Sequence, residues 1–308
     1  FRFTPLPNLT HNTTCPTSHT TTRLMNAVAK GFWGLEDSSV DFCEESYTLS
    51  PYIAEFWNSI SSLVFVFLGL YGFVETVKLN TRWIYPALFS TLALIGIGST
   101  IFHGTMRWWG ELWDELPMLL LGLLYLVSLA GCHSVTTGTK GVYFYSAIIT
   151  FLIAVVVAYV KFKVYEIFLH SFTVLILLAL AITILSRPKS RNLQILLFMI
   201  VGELGTAKAF WSLDHQLCGL SPVIPYFHVV WHVLAAFAAY HYVIFLLALR
   251  YEKRGHSSVF ADEDGPSRKI EIYNNLWLQP FDNWERFFQK SDDYSFGVFA
   301  TKLTKALG

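Results

Sequence analysis

Two histidines in the segment Phe227–His232 (FHVVWH) stand four residues apart, so on a helix both imidazoles project from one face. That is the spacing with which a helix offers two nitrogen ligands to one metal ion. A pair alone reads more often as structural than as ligands. His103 changes the weighing, because three imidazoles leave a fourth tetrahedral position open, the arrangement of a catalytic zinc. Ser99 precedes His103 by about one turn and shares its face. It reads either as a small residue that lets membrane helices approach, or as the nucleophile of a Ser99–His103–Asp114 relay. The chain has no Gly-x-Ser-x-Gly elbow, and a serine nucleophile leaves His228 and His232 without a task, so the metal site ranks first. Asp114, in Trp113–Met118 (WDELPM), can cap the helix that follows or accept a proton from the attacking water. Asp41, Glu44, Glu45 and Glu55 form an acidic run that is either a solvated face or a set of hard oxygen ligands for calcium, without EF-hand spacing.

These residues have to be positioned by membrane helices. Of 308 residues, 54% are hydrophobic and only 14% charged, against roughly 25% charged in soluble domains, so the chain cannot coat a globular surface with charge. Lys plus Arg and Asp plus Glu both number 22, which gives no basic field for nucleic acid. Four cysteines without Cys-x-x-Cys spacing do not make a disulfide scaffold. Seven windows reach the span of about 20 apolar residues that a membrane helix needs: about 56–77, 84–104, 115–133, 142–160, 165–185, 193–212 and 225–249. Strand alternation of the β-barrel kind is absent. The fold class is therefore an all-α integral membrane protein, a seven-transmembrane helix bundle.

In the loops that follow the odd-numbered spans, Lys78, Arg82, Lys140, Arg187, Lys189, Arg191, Arg250, Lys253 and Arg254 fall on one side, and the loops after the second, fourth and sixth spans hold only Arg107, Lys161 and Lys163. The excess marks the cytosolic side, which puts the C-terminus in the cytosol and the N-terminus in the lumen. In that topology the three histidines, Ser99, Asp114, Asp214 and the acidic run all reach the lumenal face from separate segments. Polar groups at membrane depth are costly, so their convergence marks a site. Residues 1–32 read as a flexible lumenal tail with glycosylation acceptors at Asn8 and Asn12 and no signal-peptide pattern. Residues 33–250 read as the seven-helix domain and 251–308 as a cytosolic tail. Cys43 and Cys218 share the oxidising side, where a bridge would tie the acidic run to the loop before the seventh helix; Cys132, at the cytosolic end, stays reduced. Glu203 and Lys208 interrupt the sixth window. They read as an internal ion pair or as a transporter's polar path, the latter without the paired repeats and broken helices of that class.

Taken together, Asp41–Asn58 (DFCEESYTLSPYIAEFWN), Gly98–Thr105 (GSTIFHGT), WDELPM and FHVVWH resemble the motifs of alkaline ceramidases, seven-helix zinc amidases of the superfamily that includes the adiponectin and progestin receptors. The resemblance covers about residues 33–250. It implies zinc on His103, His228 and His232, Ser99 stabilising the developing oxyanion, and Asp114 as proton shuttle. It also implies calcium on Asp41, the carbonyl of Phe42, Glu44, Ser46 and Glu55, and a Cys43–Cys218 disulfide. The family pattern has Trp at position 42 and Asn at 46; Ser46 lacks the amide carbonyl, which weakens the calcium set. The activity implied is zinc-dependent, calcium-regulated hydrolysis of the ceramide amide to sphingosine and fatty acid, in endoplasmic reticulum or Golgi membranes. Its substrate is a lipid reached within the bilayer, with no nucleic acid and no obligate protein partner. The alternative is a receptor of the adiponectin or progestin type with little or no turnover.

Overall fold

The computed structural model describes residues 31–132 and 138–254; Asn8, Asn12 and the segment after 254 lie outside the described residues. Seven helices are long and apolar enough to cross a membrane, and the chain is a multi-pass membrane protein. We label them α1 (Phe56–Lys78, interrupted at Ser62), α2 (Ile84–Thr105), α3 (Trp108–Cys132), α4 (Gly138–Phe162), α5 (Tyr165–Leu185), α6 (Arg191–Leu217) and α7 (Phe227–Arg254, entered through a 3-10 turn at Ile224–Tyr226). The described residues contain no β-strand, only an isolated bridge between Ser50 and Ile53.

One boundary differs from expectation in a way that matters to the site. The sequence pattern starts the third helix near residue 115, but α3 begins at Trp108. Proline suits the first turn of a helix, and the run before Pro117 mixes aromatic and acidic residues, so local pattern places the start late. The signal that extends the helix is remote: Asp37 Oδ1 accepts a hydrogen bond from Trp108 N at 2.9 Å and pairs with Arg107 Nε at 3.1 Å. Asp37, not Asp114, therefore supplies the carboxylate at this N-terminus, and Asp114 lies in the second turn. Glu44 does the same for α1, accepting from Trp57 N at 2.7 Å and Asn58 N at 2.9 Å. Residues 31–55 thus form a strap whose acids cap two helices on one end of the bundle.

α2 packs most closely on α1 and α3, and α6 on α7; α7 also touches α1, α2 and α3. Small residues permit the contact: a Cβ on Gly69 of α1 would come 2.4 Å from Ala93 N of α2. About two-thirds of the apolar window is buried in α3 and in α7, against 11% in α4, so α1, α2, α3 and α7 form the inner group while α4, α5 and α6 turn most side chains to lipid. α5 and α6 barely touch each other. At the opposite end Glu252 accepts from the backbone N–H of Lys189 and Ser190 and closes the start of α6.

Of the two readings of Glu203 and Lys208, the internal ion pair does not form. Glu203 instead sits 2.9 Å from His241 Nδ1 on α7, and Lys208 Nζ lies 3.2 Å above the Trp211 ring. On one helix the five-residue spacing turns these two side chains onto different faces, so each finds a separate neighbour.

Candidate active site

His103 closes α2, and His228 and His232 occupy the first two turns of α7; all three are buried. Their ring centroids lie 4.5 to 5.1 Å apart, and one nitrogen from each falls within 4.8 Å of the others. Among the described residues no other group of three or more His, Cys, Asp or Glu converges in this way. The surroundings orient the rings as a metal's second shell does. His103 Nδ1 lies 2.6 Å from Glu55 Oε2 and His232 Nδ1 2.7 Å from Ser61 Oγ, which leaves Nε2 of both rings to face the common space. His228 Nδ1 is buried without a partner. Three buried nitrogen donors, one of them orphaned, fit a zinc-like cation far better than calcium or magnesium, which prefer oxygen.

Ser99 and Asp114 line the same pocket as the three rings. Their meeting depends on an unusually close approach of α2 and α3. Pro117 has no N–H to give the carbonyl of Trp113 four residues earlier, and Gly98 lies against that carbonyl: a Cβ there would stand 1.9 Å from Trp113 O. The next residue, Ser99, adjoins Asp114 in the pocket and receives a 2.9 Å hydrogen bond from Ser62 Oγ. Asp114 adjoins Ser99 while His103 pairs with Glu55, so the Ser–His–Asp order of a serine hydrolase is not assembled.

The acidic run is only partly gathered. Asp41 is exposed, while Glu44 and Glu55 are buried. The carboxylates of Asp41, Glu44 and Glu55 do not converge to a common point as the histidines do. Both Glu44 oxygens already accept from α1 backbone N–H groups. Burial raises Glu44 above the usual carboxylate range, opposed by those same hydrogen bonds. Burial also pushes Glu55 well above it; the Asn58 hydrogen bond opposes this, and the charges of Glu44, Asp41 and Glu36 add to it. Glu55 Oε1 has no hydrogen-bond partner. A buried carboxylate with an orphaned oxygen amid like charges is a fitting place for a cation.

Phe42 was singled out for its carbonyl, yet its ring has a role of its own: it covers the trio, 4.1 Å from the His228 ring and 5.0 Å from that of His103. A Cys43–Cys218 disulfide, Cα atoms 5.3 Å apart, fastens this strap to the α6–α7 connection. Sequence reasoning missed Ser61, Ser62 and Asn58. The run Ser59-Ile-Ser-Ser62 inside an apolar span was the available signal, since several hydroxyls in one membrane turn are seldom idle.

Below the three histidines the pocket is apolar and long. It runs between α3, α5, α6 and α7 as far as Tyr242, 14 residues beyond His228, about 21 Å along the helix. One side of it runs between α5 and α6, where the two helices barely touch.

The ceramidase family model matches residues 34–263. Mouse alkaline ceramidase 3 is 29% identical over 242 residues, covering 72% of this chain and 87% of that protein. Arabidopsis thaliana alkaline ceramidase is 28% identical over 231 residues, 73% and 88% of the two chains. Human alkaline ceramidase 1 is 27% identical over 257 residues, 81% and 91%. With its seven helices, its histidine trio and a match spanning most of its length, the chain belongs to the ceramidase family.

Proposed function

We propose that this protein is a zinc-dependent amide hydrolase that cleaves ceramide to sphingosine and a fatty acid inside the membrane, regulated by calcium. The observation that carries the reading is the convergence of three buried imidazoles on the Ser99–Asp114 pair at the head of a long apolar pocket. His103, His228 and His232 would hold zinc, which when bound supplies a Lewis acid for the amide carbonyl and lowers the pKa of a water to about 7. Asp114 takes the proton of the attacking water. Once protonated it is a poorer acceptor, so the Ser99 hydroxyl hydrogen is released toward the carbonyl oxygen, where negative charge develops. Ser62 steadies Ser99 from behind. Asp114 then returns the proton to the departing amine nitrogen. A receptor with a purely structural metal has no use for this acid–hydroxyl pair, which favours the enzyme reading.

The apolar pocket suits the acyl or sphingoid chain, and the side between α5 and α6 suits entry from the bilayer. The acidic strap, with Glu55 Oε1 unpartnered, is the calcium locus, and Glu55 couples it to His103. By the loop charges this end faces the lumen of the endoplasmic reticulum or Golgi. Purified protein given ceramide, with and without a zinc chelator, tests the reading: sphingosine release should stop on chelation and return with zinc. Release that ignores the chelator rejects it.

Two smaller effects follow from the same geometry. Ala at Gly98 has no room against Trp113 O, so α2 and α3 must part and Ser99 withdraw from Asp114. Gly98→Ala should cost about 1–3 kcal/mol of stability and at least ~10-fold in turnover, read by thermal unfolding and initial rates; wild-type turnover would refute the close-approach account. Calcium should raise the unfolding temperature of the wild type and not of Glu44→Ala. An equal rise in both would remove Glu44 from the calcium site.

A further inference from the structure

The pocket holds one acid that the mechanism leaves unused. Glu115 follows Asp114 on α3, is 3% exposed and lines the same pocket as Ser99, Asp114 and the histidines. Its Oε2 has no hydrogen-bond partner. The other polar groups lower in the pocket are already engaged: Tyr125 OH reaches Ala239 O and Tyr242 OH shares a 2.7 Å hydrogen bond with Thr183.

Counting hydrogens fixes the chemistry Glu115 can offer. Tyr159 OH donates to Glu111 Oε1 at 2.7 Å, and the Glu115 carboxyl adjoins the same hydroxyl. One phenolic hydrogen cannot serve two carboxylates, so one of the two acids brings its own. Glu111 already accepts from Ser39 N at 2.6 Å and from Ser39 Oγ, and donors on both of its oxygens suit the ionised form. Tyr159 therefore donates to Glu111, and the hydrogen of Glu115 is assigned to Oε1, on the side of the Tyr159 oxygen. That leaves Glu115 Oε2 as a neutral carbonyl acceptor, held by the Ser39–Glu111–Tyr159 chain and lacking a donor. A buried acceptor of that kind costs free energy until something donates to it.

We propose that Glu115 Oε2 accepts a hydroxyl hydrogen from the sphingoid part of the substrate and so makes the enzyme selective for an N-acylated amino alcohol. This rests on the ceramide reading above. With the amide nitrogen at Asp114, the hydroxyl-bearing carbons on either side of the nitrogen-bearing carbon lie next to the neighbouring residue, Glu115. The Glu111–Tyr159 pair acts as a positioning device, fixing which Glu115 oxygen is the acceptor.

The test compares kcat/KM for ceramide with that for its 1-deoxy and 3-deoxy analogues, using the full-length protein. The wild type should prefer ceramide over one of the two by about 10- to 100-fold, the range for losing one hydrogen bond and stranding its buried partner; which analogue fails identifies the hydroxyl. Glu115→Leu should collapse that ratio toward one. Glu115→Gln should keep it, because a side-chain amide donates to Tyr159 and accepts from the substrate as the protonated acid does. Equal rates for all three substrates in the wild type overturn the proposal without any variant, and so does a wild-type ratio in Glu115→Leu. A wild type that cleaves none of the three removes the ceramide reading itself, a separate outcome from the first two.

Discussion

His228→Ala should leave the protein folded, with zinc content falling from about one per chain to a trace and ceramide turnover falling by at least ~10³. Two imidazoles that remain cannot close the three-nitrogen set of a catalytic zinc, so the Lewis acid is lost outright and not merely loosened. The variant is informative because His228 Nδ1 has no partner to strand, whereas removing His103 would take one of two partners from Glu55 Oε2 and removing His232 would leave Ser61 only its bond to Asn58 O. Chelation should lower the unfolding temperature of the wild type by withdrawing a ligand that binds only the folded chain. The same treatment should leave His228→Ala unmoved. Full zinc occupancy in the variant, measured by metal analysis, would place the ion somewhere other than this trio.

Asp114→Asn should reduce turnover on the order of 10³, within the range for loss of a general acid–base, with zinc retained. Ser99→Ala should cost about 10²–10³, the usual loss for one oxyanion donor. Because Ser99 adjoins Asp114 and, in the proposed mechanism, the proton taken by Asp114 frees the Ser99 hydroxyl, their effects should not add. The double variant should be little slower than Asp114→Asn alone. Rates for the two singles and the double, taken at saturating substrate, check this. A double variant slower by the product of the two single losses would show that the residues act independently and would sink the coupled mechanism.

The histidines were legible because the i, i+4 rule is a property of any helix and needs no knowledge of neighbours. His103 joined them through membrane depth, which hydropathy also reports. The partners of those rings were not legible. Glu55 had been read for calcium and turns out to hold His103; Ser61 and Ser62 had not been read at all, though they support His232 and Ser99. Asp114 lines the pocket and does not cap α3, since the carboxylate at that helix start is Asp37, 71 positions before Trp108 in the strap. Glu203 found His241 in place of Lys208, because which faces of α6 and α7 meet depends on how the helices are rotated against each other.

The sequence by itself determined seven spans and the residue types able to bind a metal, since hydrophobic length and helical period are local quantities. Only the tertiary structure decided that Gly98 and Pro117 let α2 and α3 close on Ser99 and Asp114, that the strap's acids cap two helices, and that α5 and α6 stand apart. Those are outcomes of packing among side chains distant in the chain, where steric fit and shared hydrogen bonds select one arrangement from many that the local pattern permits equally.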